Sequence, residues 1–191
     1  MAVIESWVPG LALPVADAAG GAQPRTSIDE AQFQVFYDHT ARSLKVYLLR
    51  LVSNAALADD LLQEAYFRFL RADVPGMDEA GRKNYLFRVA TNLARDQFRR
   101  KKFEAVPIEG RDRAVESAPA WLAADVSRVL EQIEPREREI VLLAYVEGAS
   151  HREIAAVTGL KEASVRPVLF RIRQKLAEIL KKRGFQPKEG A

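Results

Sequence analysis

Residues 133–176 read IEPREREIVLLAYVEGASHREIAAVTGLKEASVRPVLFRIRQKL. Glu134-Pro135 opens a helix with proline at its first position, where the missing N–H is no loss. Ile140, Val141, Leu143 and Ala144 supply that helix's buried side, and Gly148 ends it. Ser150-His151-Arg152-Glu153 then spells a capping box, in which the serine accepts a backbone N–H while the glutamate reaches back. A short helix through Ile154, Ala155 and Val157 stops at Thr158-Gly159-Leu160. The next helix follows at once, with Val165, Leu169, Ile172, Leu176 and Ile179 along one stripe.

A short helix, a tight glycine turn and a longer basic helix make a helix-turn-helix, whose second helix enters the DNA major groove. Its outward face carries Ser164, Arg166, Phe170, Arg171 and Gln174. Arginine can pair with guanine in bidentate fashion or contact phosphate, and Lys161 or Lys175 can neutralise backbone charge. A plain helical hairpin with a basic surface is the simpler reading of the same residues. Cap, glycine turn and basic helix occurring together favour the first. His151 suits capping or a phosphate contact; a catalytic Ser150-His151 pair does not fit, because adjacent helical residues face apart.

Upstream, the helix at 82–102 reads RKNYLFRVATNLARDQFRRKK. Leu86, Val89, Ala90 and Leu93 form its buried stripe, and Arg88, Asn92, Arg95 and Arg99 run along another side, with Tyr85 and Phe98 at the margins. Cations that track phosphates, rings that stack on bases and an amide that reads a base edge suit single-stranded nucleic acid. A solvated basic helix with core aromatics is the rival reading. At 57–71, Leu61, Leu62, Ala65, Tyr66 and Phe69 face inward, while Asp60, Gln63, Glu64, Phe67 and Arg71 face outward. Single exposed apolar residues are ordinary, but an aromatic ringed by charge has the composition of a protein-interface hot spot. A first helix is expected from Asp29 to about Leu51, carrying Phe33, Phe36, Tyr37, Leu44, Tyr47, Leu48 and Leu51, with a break at Ser53-Asn54.

These helices define an all-α chain of two small helical domains, 28–102 and 120–183, joined by a flexible linker at 103–119. Proline and glycine punctuate the tail at 1–27, and a second tail covers 184–191. The 191 residues contain no cysteine, which excludes disulfides, thiolate zinc sites and cysteine nucleophiles. The longest purely apolar run, Ile140 to Val146, is too short to span a bilayer. With neither an export signal nor cysteine, the cytoplasm is the expected compartment. No cofactor, metal set, phosphate-cradling loop or nucleophile–base pair is evident, so no enzyme is expected. The net charge of +3 hides segregation: residues 82–102 hold eight Lys/Arg against one acid, and 161–183 hold eight against two. Two basic stretches on an otherwise acidic chain suggest two contacts with a polyanion.

Three strings resemble the sigma-70 family of bacterial RNA polymerase initiation factors, in its compact extracytoplasmic-function (ECF) group. DDLLQEAYFRFLR (59–71) is similar to the family's region 2.2, LFRVATNLARDQFRRKK (86–102) to regions 2.3 and 2.4, and 133–176 to region 4. The resemblance implies a non-enzymatic promoter-specificity subunit. Asp60, Gln63, Glu64 and Phe67 would dock on the β′ clamp helices of core polymerase, with a further contact to the β flap. Tyr85, Arg88, Asn92, Arg95 and Arg99 would serve the −10 element, Asn92 on an extruded base, with the loop at about 72–82 holding the flipped base. Lys161, Ser164, Arg166, Phe170, Arg171 and Gln174 would serve duplex −35 DNA. The linker would enter the polymerase's RNA exit path, an anti-sigma protein would cover the polymerase-binding faces, and the free chain would be a monomer. Tyr85 stands where many members carry Trp, and Pro167-Val168 lies inside the recognition helix where a polar and a basic residue are common; proline there removes one hydrogen bond and can kink the helix at a cost of about 3 kcal/mol. The alternative is a dimeric regulator, since PREREIVLLAYVEGASHREIAAVTG also resembles the response-regulator DNA-binding type. That reading leaves the helix at 82–102 and the Phe67 face without a purpose.

Overall fold

The computed structural model describes residues 28–72, 76–104 and 126–184. The expected tail at 1–27 and nearly all of the linker and of the C-terminal tail lie outside the described residues. Seven helices appear among those described: α1 (Glu30–Val52), α2 (Ala55–Arg71), α3 (Glu79–Glu104), α4 (126–130), α5 (Pro135–Tyr145), α6 (His151–Thr158) and α7 (Glu162–Lys182).

Local chemistry sets the boundaries. Asp29 Oδ1 accepts the Gln32 N–H at 2.7 Å to start α1, and Asn54 Oδ1 accepts the Leu57 N–H at 2.8 Å to start α2. Between them Ser53 takes the left-handed conformation, φ 53°, that closes α1. Asp78 Oδ1 accepts the Gly81 N–H at 2.7 Å, which starts α3 at Glu79 rather than at the expected Arg82. Pro135 sits in the first turn of α5, behind a reciprocal Glu134–Glu137 cap. The Ser150–Glu153 capping box opens α6, and Gly159, φ 75°, ends it. The helix α7 continues through Pro167, whose side chain is exposed.

In the N-terminal half, α1 contributes Leu44, Tyr47, Leu48 and Leu51 to a core completed by Leu61, Ala65 and Phe69 of α2 and by Leu86, Phe87 and Ala90 of α3. Two buried hydroxyl pairs tie these helices together. Thr40 and Thr91 each donate to the carbonyl four residues earlier, so the Tyr66 and Tyr47 hydroxyls donate to them, at 2.7 and 2.8 Å. Burial pushes the Tyr66 hydroxyl up to about 12 and the Tyr47 hydroxyl higher still. In the C-terminal half, Ile154 and Val157 of α6 and Val165, Leu169 and Ile172 of α7 close on Ile140, Leu142 and Leu143 of α5.

The two halves do not stand apart. Their buried residues form one contiguous apolar cluster, with α3 packed on α6 and α1 on α5. Residues Arg138 to Leu143 of α5 are all buried, so this helix has a second inner face that its expected apolar side did not include. Arg138 uses that face: its Nε donates to Leu130 O at 2.9 Å and its Nη1 to Leu51 O at 3.0 Å. The Leu51 carbonyl lies in the last turn of α1, where no intrahelical N–H remains to satisfy it.

Candidate nucleic-acid interface

The residues of α7 expected to read duplex DNA share an open surface. Lys161, Arg166, Phe170, Arg171 and Gln174 are exposed, Phe170 at 59%, and Ser164 is half-buried. Arg166, Phe170 and Gln174 follow one another at four-residue spacing, which aligns them on one face. Lys175 serves the fold instead, donating to Glu137 Oε2 at 2.7 Å and so fastening α7 to α5. This contact and the Glu134 backbone N–H outweigh burial and hold the Glu137 carboxyl below its ordinary range. Glu153 is lowered as well, by the Ser150 hydroxyl and backbone N–H that it accepts.

The cationic stripe of α3 is in a different state. Asn92 and Arg99 are exposed, Arg88 and Tyr85 are half-buried, and Arg99 pairs with Asp96 at 3.0 Å. Desolvation raises the Tyr85 hydroxyl against the nearby charges of Arg88 and Arg68. Arg95 is turned toward α5. Its Nε donates to Glu139 Oε1 at 2.9 Å and its Nη2 to Oε2 at 2.6 Å, while Nη2 also reaches Thr158 O and Nη1 reaches Asn92 Oδ1, both at 3.4 Å. The Arg95 side chain is 27% exposed and that of Glu139 only 1%. Burial pushes the Glu139 carboxyl above its ordinary range, with the Arg95 hydrogen bonds working against that rise. For Arg95, burial alone would lower the guanidinium; the bonds and charge of Glu139 outweigh it and keep it protonated. A second pair lies along the same junction, Lys83 of α3 and Glu147 at 3.9 Å, with Glu147 buried and its carboxyl raised by desolvation. A cleft of about 360 Å3 opens beside Arg95, lined by Phe98, Glu134, Pro135, Arg136 and Glu139.

On α2, Asp60, Gln63 and Phe67 are exposed, Phe67 at 54%, and Glu64 is partly covered by an ion pair with Arg68 at 2.6 Å. The Arg71 guanidinium lies over the Phe67 ring at 5.2 Å. The face is apolar at its centre and charged at its rim, as expected from the helical wheel. Glu139 and Arg138 are the residues that sequence reasoning missed. The signal available for them was the unbroken apolar run after them, which leaves α5 with no solvent face over its middle turn.

Comparison with known proteins places these surfaces in a family. Residues 36–104 match the family description "Sigma-70 region 2", and residues 123–176 match "Sigma-70, region 4". The chain is 34% identical over 190 residues to the ECF RNA polymerase sigma factor SigE of Mycolicibacterium smegmatis, covering 93% of this chain and 70% of the relative. It is 32% identical to the RNA polymerase sigma factor CarQ of Myxococcus xanthus, covering 82% and 92% respectively. A similar fold occurs in the sigma factor RpoE of Bartonella quintana, solved in complex with the anti-sigma factor NepR, with a TM-score of 0.65, 23% identity and coverage of 78% and 96%. The chain belongs to the sigma-70 family, in its ECF group. It is therefore a regulatory protein that binds core RNA polymerase and directs promoter recognition for transcription initiation. Among the described residues no helix is long and apolar enough to cross a membrane.

Proposed function

We propose that the three surfaces divide the work of initiation among them. Asp60, Gln63, Glu64 and Phe67 dock on the β′ clamp helices, with Phe67 as the apolar anchor. Tyr85, Arg88, Asn92, Arg95 and Arg99 hold the unpaired −10 strand: the cations follow phosphates, Tyr85 stacks and Asn92 reads a base edge. Capture of an unpaired base shifts the duplex toward the open state, because only the open state offers that base. Lys161, Ser164, Arg166, Phe170, Arg171 and Gln174 read the −35 duplex, and region 4 also meets the β flap. The observation that carries this reading is the helix-turn-helix with Arg166, Phe170 and Gln174 in one exposed row, attached to a second, separately basic helix.

The domains at 28–102 and 120–183 are the units of this division, and the linker at 103–119 enters the RNA exit path. The chain works in the cytoplasm as a monomer, has no catalytic activity of its own and is held by an anti-sigma protein; RpoE of Bartonella quintana, which has a similar fold, was solved in complex with one. Run-off transcription with purified core polymerase tests the function. A promoter-dependent transcript that Phe67→Ala reduces at least tenfold supports it, a loss of about 1.4 kcal/mol of docking. No transcript from any genomic promoter library and no co-purification with core would refute it.

A further inference from the structure

Pro167 is the residue of α7 that the assigned surfaces leave unused. Its ring is exposed, and the helix runs through it without breaking. The buried Val165, Leu169 and Ile172 fix the inner side of α7, and at about 100° per residue Pro167 and Gln174 stand roughly opposite that side. Ala163 and Phe170 lie within about 50° of the same outermost line. Both are exposed, Phe170 at 59%. Arg166 is about 90° to one side of the line and Arg171 about 50° to the other. The outermost line of α7 is therefore apolar over Ala163, Pro167 and Phe170, runs between two cations and ends in the amide of Gln174.

This placement divides the chemistry of the reading face. A helix laid in the major groove turns its outermost line to the base edges and its flanks toward the phosphate walls. The flanking guanidiniums reach phosphates or a guanine edge, but the side chains between them have nothing to donate or accept before Gln174. In the major groove thymine alone presents a carbon group, its C5 methyl, and apolar side chains recognise it by contact. A guanine, cytosine or adenine edge in the same place would lose water to the ring and find no partner for its donors and acceptors. Proline adds a second restriction. Its ring is closed on the backbone, so it cannot swing aside to admit another base as an open-chain residue can.

We infer that Pro167 is a specificity-determining residue: with Ala163 and Phe170 it forms an apolar ridge that selects thymine in the −35 duplex through the C5 methyl group. The inference rests on the proposed −35 role of α7 and adds to it the base that is read and the group that reads it. Residues 167 and 170 are separated by about 4.5 Å along the helix axis, close to the roughly 3.4 Å rise of a base pair. The two rings thus meet the same base pair or adjacent ones.

The test uses the full-length chain assembled with core polymerase. A promoter library randomised over the upstream duplex contact is selected for binding, and in the best selected duplex each thymine is replaced singly by deoxyuridine, which removes only the methyl group. Expected is an enriched thymine whose replacement weakens binding about fourfold, the worth of one buried methyl group. In Pro167→Ser the thymine-to-uracil ratio at that position falls to about one while the duplex is still bound. A role confined to the fold would leave the ratio at about four, because serine restores the N–H that α7 lacks at this turn and does not weaken the helix.

An enriched element without thymine overturns the inference, as does a parent that binds thymine and uracil equally at every position. So does a ratio that Pro167→Ser leaves unchanged. In each of these cases the −35 reading stands. A library in which no upstream sequence is enriched, although the holoenzyme transcribes, overturns the −35 role of α7 and the inference with it.

Discussion

The helices α3 and α7 carry nearly the same excess of basic charge, yet the molecule treats them differently. The reading face of α7 is turned to solvent: Arg166, Phe170, Arg171 and Gln174 are exposed, and Lys175 alone among its notable side chains is committed to a carboxylate of α5. In α3 the central cation is inside a junction, gripped by a carboxylate that is almost completely buried. A free cation contributes only to nucleic-acid binding, whereas a cation shared with the fold couples binding to conformation. Under the proposed assignments, the duplex-reading face of α7 is open to solvent, whereas the −10 face of α3 has its central cation engaged by Glu139.

The largest effect that sharpens this contrast is expected from Arg95→Ala. It leaves the Glu139 carboxylate buried without its partner, and the packing of the two halves weakens by about 2 kcal/mol in thermal or denaturant unfolding. The sign with pH follows from Glu139 and Glu147, whose carboxyls are raised by burial. A raised carboxyl stabilises the packing fully below its unfolded value, and this contribution is lost as pH rises through the folded value. The parent junction therefore strengthens as pH falls from neutral toward the ordinary carboxylate range. The defect of Arg95→Ala is greatest at neutral and alkaline pH, where Glu139 must be ionised without a partner; an equal defect at all pH values would remove this account of the pair.

Next in size is Pro167→Ser. The helix passes through Pro167 without breaking, so the missing N–H and the ring crowding are borne within α7. Replacement is expected to stabilise the C-terminal half by about 1–2 kcal/mol, the intrinsic penalty reduced by proline's stiffening of the unfolded chain. An unchanged melting temperature would mean that the helix accommodates proline without strain. Arg166→Ala should leave stability within about 0.5 kcal/mol while lowering the salt slope of duplex binding by about 0.9, one phosphate's worth. Arg166→Ala tests the free side of the contrast; a lowered melting temperature there would show that α7 also serves the fold. The smallest effect is expected from Glu153→Gln, about 0.5 kcal/mol from a weakened cap. Glu153 is lowered by the groups it accepts, so its contribution is present above the ordinary carboxylate range and lost as pH falls through its depressed value. Parent and variant should therefore converge in acid, a trend opposite to that of the junction.

Much of this was legible in the chain itself. Helices α1, α2, α5 and α6 begin and end within about two residues of their expected limits, because Asn54, Pro135, Ser150 and Gly159 act locally and need no distant partner. The N-terminus of α3 was missed by three residues because Asp78 caps it. Tyr37, expected among the apolar residues of α1, is 39% exposed, and Phe87, absent from the expected stripe of α3, is buried. A wheel drawn for one helix assigns one inner face, whereas α3 has neighbours in α1, α2 and α6, and Phe87 packs on Tyr47 of α1 with ring centroids 5.5 Å apart. The same limitation hid the junction. On an isolated wheel Arg95 belongs to a solvent stripe and Glu139 to a polar flank; only the packing of α3 on α6 and α1 on α5 brings them together. The four consecutive apolar residues Ile140–Leu143 were the available sign that α5 is enclosed, since a half-buried helix would interrupt such a run with a polar residue.

The most direct measurement is the distance between labels at Arg42→Cys and Glu178→Cys, taken by pulsed electron spin resonance in the free chain and in complex with core polymerase and promoter DNA. The account predicts one short distance in the free chain and a long one in the complex, separated by tens of ångströms as the two regions reach their own DNA elements. The same short distance in both states, or the long distance already present in the free chain, would contradict it.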